Sequence, residues 1–96
     1  MPGVYFVLLW PDGVEEKCYS PSTVIYDYFK VGESYSLDKF LTLSEDALNR
    51  ASERVRERYG YFCSAASDQL TLLKSRVDYF KKMHAQGQIT ILDMTH

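Results

Sequence analysis

The sequence predicts an α+β protein: a small, mainly antiparallel three-stranded sheet with all its helices packed on one face. Three observations lead to this fold class. The chain opens with two extended runs around a turn, continues with segments of helical periodicity, and closes with an Ile- and Thr-rich run. Because the two long helical segments follow each other directly, we expect an antiparallel helix hairpin. The 96 residues are expected to form a single domain, 1–96.

The amino end predicts a β-hairpin. An apolar run, Val4–Trp10, leads into Pro11–Gly13, and a second extended run, Val14–Tyr19, follows. Pro presets φ at the first corner of a turn, Asp can bond the backbone two residues on, and Gly accepts positive φ. The turn is therefore expected to set the register of the hairpin.

The first strand is apolar on both faces, which is typical of a central strand covered on both sides. One face can supply the domain core. The other face, with Tyr5, Val7 and Leu9, needs a second cover. This pattern favours a homodimer, although the short helix could also cover that face.

A short helix is predicted after the hairpin. Ser22 is a candidate N-cap, and apolar residues recur at three- and four-residue spacing from Val24 to Phe29. The spacing indicates a helix of about two turns. Gly32 is expected to end it in a left-handed conformation.

The first long helix is expected to begin at Thr42, which has capping-box spacing to Glu45, or at the rival cap Ser44. A separate turn capped by Ser36 would precede it. The helix carries an apolar stripe on one side and dense charge on the other, and Gly60 is expected to stop it.

The last helix is expected to begin at Ser64 or Ser67 and to close at Gly87. The remaining segment, 88–94, reads as a strand. Because the opening strand is the most apolar and belongs in the middle of the sheet, we expect the last strand to lie beside it.

Composition excludes several function classes. A net charge of −2 gives no electrostatic reason to expect a nucleic-acid partner. No apolar run is long enough for a membrane span or a secretory leader, so a cytoplasmic protein with reduced thiols is expected. Two histidines and two separated cysteines lack metal-ligand spacing. We therefore expect neither a metal nor another cofactor.

The candidate site lies where the short helix and the last helix begin. Cys63 at a helix N-terminus could have a lowered thiol pKa and act as a nucleophile or redox centre, yet buried cysteines are more often apolar filler. The serines can be read as an anion-binding helix start or as plain helix caps. No residue is assigned a catalytic role, and the predicted ligand-binding residues are Cys18, Ser20, Ser22, Cys63, Ser64 and Asp68.

The chain resembles a small bacterial nitrogen-starvation response family encoded beside nitrilase clusters. The resemblance is carried by WPDG (10–13), CYSPSTVI with DYF (18–25 and 27–29), GESYSLDKF (32–40), ASERVRERYG (51–60) and CSAASDQL (63–70). It implies a cytosolic accessory protein made when nitrogen is scarce. Such a protein would work beside a nitrilase, a radical enzyme, an acetyltransferase-like protein and a flavin oxidoreductase.

Two functions of different classes remain open from the sequence. The first is a non-catalytic interaction or regulatory module associated with nitrilase-cluster enzymes and dimeric in form. Its basis is the apolar central strand, the eight tyrosines and the lack of a recognisable catalytic set. The alternative is a small-molecule binder or minor enzyme, with its pocket between the short helix and the start of the last helix.

Overall fold

The computed structural model describes residues 3–60, 64–83 and 87–95. The fold is α+β, with the helical segments between the second and last strands of the sheet. Its elements are β1 (Val4–Leu9), β2 (Glu15–Ser20), a 3₁₀ helix (Thr23–Asp27), β3 (Ser34–Ser36), α1 (Leu37–Tyr59), α2 (Ser64–Lys82) and β4 (Gln88–Thr95).

The sheet has the strand order β2-β1-β4-β3, with every neighbouring pair antiparallel. The predicted central position of β1 and its pairing with β4 are confirmed. The prediction of three strands is wrong, because β3 pairs with Gln88–Thr90 at the far edge. β3 has only three residues, of which Tyr35 alone is buried, so it is too short to show the alternation that marks a strand.

The turn of the hairpin follows the predicted chemistry. Trp10 N donates to Val14 O at 2.9 Å, and Gly13 N donates to Trp10 O at 2.9 Å. Asp12 Oδ1 accepts from Val14 N at 3.1 Å, two residues on. Gly13 has φ 87°, a conformation that L side chains rarely adopt. The resulting register pairs Leu9 with Glu15.

β4 contains a bulge where it pairs with β1. Val7 lies opposite Asp93, but Leu8 lies opposite Ile91, so Leu92 is an extra residue on β4. Ile91 and Met94 are consequently both buried, although three positions separate them.

The short helix is a 3₁₀ helix rather than two turns of α-helix. Ser22 is its N-cap, as predicted, and its Oγ accepts from Val24 N at 3.3 Å. The amides of Tyr28 and Phe29 both donate to Ile25 O, which ends the helix before the predicted Phe29. Gly32 lies further on, in the turn before β3.

The first long helix begins earlier than predicted. Ser36 caps it and its Oγ accepts from Lys39 N at 3.2 Å, so the separate turn and the helix are one element. Thr42 lies inside the helix, where its hydroxyl donates to Asp38 O at 3.1 Å. The capping-box spacing at Thr42 was misleading because the apolar helical period already starts at Leu37. Gly60 ends the helix at φ 76°, as predicted.

The two long helices are antiparallel. Lys74 Nζ pairs with Glu45 Oε1 at 3.3 Å, and Lys81 Nζ pairs with Asp38 Oδ1. Later residues of α2 thus meet earlier residues of α1. All four side chains are substantially exposed, so these ion pairs contribute little to stability.

One hydrophobic core joins the helices to one face of the sheet. The ring of Trp10 stacks on Phe80 with centroids 5.5 Å apart and meets the edge of Phe40 at 5.9 Å. The strands contribute their inward alternate residues, so the opposite sheet face is not covered by either helix. The buried sheet residues of this core are Val4, Phe6, Leu8, Cys18, Tyr35, Ile89, Ile91 and Met94.

Candidate functional site

The uncovered side of the sheet is a mixed apolar and polar surface. Tyr5 lies at the centre of this surface and is 48% exposed. The centroids of the Tyr5 and Tyr19 rings are 5.2 Å apart. Lys17 Nζ lies 4.6 Å from the centroid of the Tyr5 ring, a cation–π contact. We name this surface the open face, and it comprises Tyr5, Val7, Leu9, Lys17, Tyr19, Thr90, Asp93 and Thr95.

The open face can bind another surface because aromatic and apolar side chains lie side by side on one face of the sheet. Tyrosine buries a large apolar ring while its hydroxyl stays paired or hydrated, which suits protein contacts. Val7 and Leu9 are only half-buried, in contrast to the fully buried Phe6 and Leu8 on the other face. The sequence-derived expectation that this face needs a second cover stays a prediction.

Cys18 lies on the core side of β2. Burial, followed by the negative charge of Glu16, raises the pKa of the Cys18 thiol to about 12, against a smaller opposing effect of Arg76. Its Sγ lies 4.0 Å from Glu16 O. A thiol with this pKa is protonated at neutral pH and is neither a ready nucleophile nor a metal ligand.

The two predicted serines of the turn are buried and hold the backbone. Ser20 Oγ donates to Ser22 O at 2.8 Å and accepts from Ser22 N at 3.4 Å. Ser22 Oγ in turn accepts a hydrogen bond from Val24 N of the 3₁₀ helix that it caps. Both hydroxyls therefore have structural partners, which is the capping interpretation considered from the sequence.

The remaining predicted residues lie at the start of α2. Ser64 and Asp68 are exposed, and Cys63 lies outside the described residues. Gln69, next to Asp68, reaches β2, where its Oε1 accepts from Tyr19 N at 2.9 Å. The fold thus brings the start of α2 beside the end of β2. The ligand-binding role of the six residues stays a prediction.

A charged groove between the 3₁₀ helix and α1 was not predicted. Its volume is about 300 Å³, and one of its sides is the densely charged side of α1. Beside it, Tyr28 Oη donates to Asp46 Oδ2 at 2.6 Å, and the guanidinium of Arg50 lies 5.9 Å from the Tyr28 ring centroid. The described lining residues are Val24, Asp27, Arg50, Glu53, Arg54 and Glu57.

The groove could hold a small molecule that carries both charges. Its guanidinium groups suit a carboxylate, and its carboxylates suit an ammonium group. The described lining has three carboxylates, two guanidinium groups and the side chain of Val24. Only the fold shows this groove, because Asp27 is distant from α1 in sequence.

A polar cluster at the turn end of the core was also missed. Glu16 Oε1 accepts from Trp10 Nε1 at 2.8 Å and from Arg76 Nε at 3.1 Å. The guanidinium of Arg76 lies 5.4 Å from the Trp10 ring centroid. Strand alternation places Glu16 on the inward face, but sequence cannot identify its partner 60 residues away.

Metal centres and membrane-spanning helices are two further classes of site. Residues 3–60, 64–83 and 87–95 contain no group of three or more His, Cys, Asp or Glu side chains that could hold a metal ion. In those same ranges, no helix has the length and apolar character needed to cross a bilayer.

Comparison with known protein families gives a match over most of the chain. The sequence model of the family described as nitrogen starvation-induced protein NitG matches residues 5–94. No curated protein and no solved structure matches the chain. The matched segment runs from β1 to β4 and confirms the resemblance inferred from the sequence motifs. The chain therefore belongs to the nitrogen starvation-induced protein NitG family.

Proposed function

We propose that this protein is a cytosolic, non-catalytic interaction module of the nitrogen-starvation response that works as a homodimer with nitrilase-cluster enzymes. The observation that supports this function is the open face, where Tyr5 is 48% exposed on the central strand of the sheet. The solvent-exposed face of an antiparallel sheet is ordinarily polar, so an exposed aromatic ring beside Val7 and Leu9 suits a docking surface.

The chemistry of the buried side supports a binding role over catalysis. Cys18 is protonated, and Ser20 and Ser22 hold the backbone of the turn. The partner class follows from the resemblance to proteins encoded beside nitrilases.

The test uses the purified chain and purified enzymes of a nitrilase cluster, with affinities measured by calorimetry. Tyr5→Asp and Thr95→Asp place charge on the open face and should weaken binding at least about tenfold, since a carboxylate must then be buried unpaired. Tyr59→Asp is the matched control, because Tyr59 has similar exposure at the end of α1. Equal losses in all three variants, or no binding to any cluster enzyme, would overturn the proposal.

The charged groove supports a second candidate, a small-molecule-binding protein. A panel of free amino acids and dicarboxylates can be screened by ligand-induced thermal shift. If the groove is the site, Arg50→Ala and Arg54→Ala abolish a shift that Ser64→Ala and Asp68→Ala retain. The opposite pattern would favour the pocket predicted from the sequence at the start of α2.

A further inference from the structure

The outer edge of β2 pairs with no other strand in the described part of the chain. Tyr19 N bonds Gln69 Oε1, so its N–H points away from β1. Backbone direction alternates along an antiparallel strand, so Lys17 and Glu15 also direct their N–H and C=O groups outward. Both residues are exposed, and β2 is the first strand in the sheet order. An edge strand of this kind can pair with another strand.

The available edge is short and has defined limits. The hairpin turn precedes Glu15, and the side chain of Gln69 occupies the amide of Tyr19. A second strand can therefore pair along Glu15–Lys17, which is symmetric about Glu16.

If a second copy of the chain pairs with this edge, the charges of Glu15 and Lys17 determine the register of the pairing. An axis at Glu15 sets that carboxylate against its own copy, and an axis at Lys17 does the same for the ammonium group. Like charges directly opposite each other destabilise a sheet. An axis at Glu16 instead pairs Glu15 with Lys17 of the second copy, and Lys17 with Glu15 of the second copy. The outward N–H and C=O groups of Glu15 and Lys17 then form hydrogen bonds between the two strands, and the two side chains of each residue pair have opposite charges.

Helix α2 has an exposed apolar stripe beside this edge. Leu72 and Tyr79 in α2 and Met83, directly after its end, are 45%, 54% and 63% exposed and recur at seven- and four-residue spacing. Leu72 and Tyr79 follow Gln69 and Arg76, which contact β2, by three positions. They therefore lie on the β2 side of the helix.

The opposite side of α2 faces α1. It carries Lys74 and Lys81, which pair with α1 residues. The apolar stripe therefore lies on the side of α2 that faces the β2 edge. A two-fold axis through that edge would bring the stripes of the two copies together.

The central glutamates can face each other because each is already neutralised. Glu16 Oε1 is bonded by Trp10 Nε1 and Arg76 Nε of its own chain. The cross-axis pair is thus two carboxylate–guanidinium pairs rather than two bare carboxylates, which reduces the repulsion.

We infer that the second copy in the proposed homodimer pairs antiparallel along Glu15–Lys17, on a two-fold axis at Glu16. The sheets become continuous, the α2 stripes meet across the axis, and both open faces stay on one side, free for another protein. This inference rests on the homodimer in the proposed function and adds its interface.

Sedimentation of the full chain over a concentration series tests the register. Glu15→Lys and Lys17→Glu each place like charges opposite across the axis and should raise the dimer dissociation constant at least about tenfold. The double variant Glu15→Lys with Lys17→Glu restores opposite charges and should recover the wild-type constant. Glu53→Lys, on α1, is the matched control and should have no effect.

Amide hydrogen exchange provides a second measurement. The N–H groups of Glu15 and Lys17 should become protected as concentration rises, while that of Gly13 should not. A dimer that tolerates both single reversals overturns this interface and leaves the homodimer standing. A wild-type chain that stays monomeric overturns both, while open-face binding to cluster enzymes is decided by the calorimetric test.

Discussion

Trp10 Nε1 donates a 2.8 Å hydrogen bond to the carboxylate of Glu16, which the hairpin turn brings back beside it. The same carboxylate oxygen accepts from Arg76 Nε, so one acidic side chain ties the turn to α2. The side chains of Glu16 and Arg76 are 19% and 34% exposed, which places the pair at the edge of the core.

Removing Glu16 should destabilise the fold. Glu16→Ala leaves the Trp10 N–H and the Arg76 guanidinium without their partner, at an expected cost of about 1–3 kcal/mol in unfolding free energy. Urea denaturation followed by fluorescence measures this directly, since Trp10 is the only tryptophan. The exposed Glu53→Ala should change stability by less than about 0.5 kcal/mol. Equal stability of the two variants would show that the cluster contributes nothing.

The Cys18 thiol should resist alkylation in the native state. Its pKa is raised to about 12 from 9.0, mainly by burial, so almost no thiolate is present at pH 8. In urea, iodoacetamide should modify Cys18 readily. Mass spectrometry of the peptide that contains it gives both rates, and a native rate close to the denatured one would contradict this prediction.

The same pKa shift predicts lower stability in alkali. The folded protein holds the Cys18 proton more tightly than the unfolded chain, so this contribution is intact below about pH 9 and is lost between pH 9 and 12. Cys18→Ala removes this dependence. The difference in unfolding free energy between wild type and variant should therefore shrink as pH rises. A difference that stays constant across that range would refute the shift.

The true start of α1 can be distinguished from the one suggested by sequence. Ser36→Ala removes the hydroxyl that accepts from Lys39 N and should cost about 1 kcal/mol. Thr42→Ala, in the helix interior, should be neutral or slightly stabilising because Ala has the higher helix propensity. Thermal denaturation compares the two variants, and a larger loss for Thr42→Ala would contradict the assignment.

Ser44 should be replaceable with a gain in stability. Its hydroxyl is buried in α1 and has no hydrogen-bond partner in the described structure. Ser44→Ala removes an unsatisfied group and adds helix propensity, for a gain of about 0.5–1 kcal/mol. Ser75→Ala, exposed on α2, gains only the propensity part. A loss of stability in Ser44→Ala would indicate that the hydroxyl has a partner.

The parts of the fold that the sequence predicted are those with strong local signals. The hairpin depends on Pro11–Gly13, and the end of α1 depends on Gly60, whose positive φ few other residues accept. The pairing of β1 with β4 followed from the unusual apolarity of β1. In each case a short stretch of chain carries enough chemistry to specify its own conformation.

The missed features depend on contacts between distant segments. β3 exists because β4 offers it a partner, and its three residues have no strand signal of their own. Glu16 pairs with Arg76 because the fold brings α2 against β2. The charged groove likewise forms between Asp27 and α1. The spacing of residues within one segment cannot predict such pairings, since the local sequence pattern of each segment is the same with or without its distant partner.

The additional residue at Leu92 determines which face of the sheet the last residues of β4 occupy. Counting by twos from Ile89 and Ile91 would send the carboxylate of Asp93 into the interior and the thioether of Met94 into water. The offset at Leu92 exchanges their sides, so Asp93 is hydrated and Met94 is buried. Deleting Leu92 should therefore remove the bulge and leave Asp93 outside and Met94 inside, because the two residues would then follow Ile91 in regular alternation.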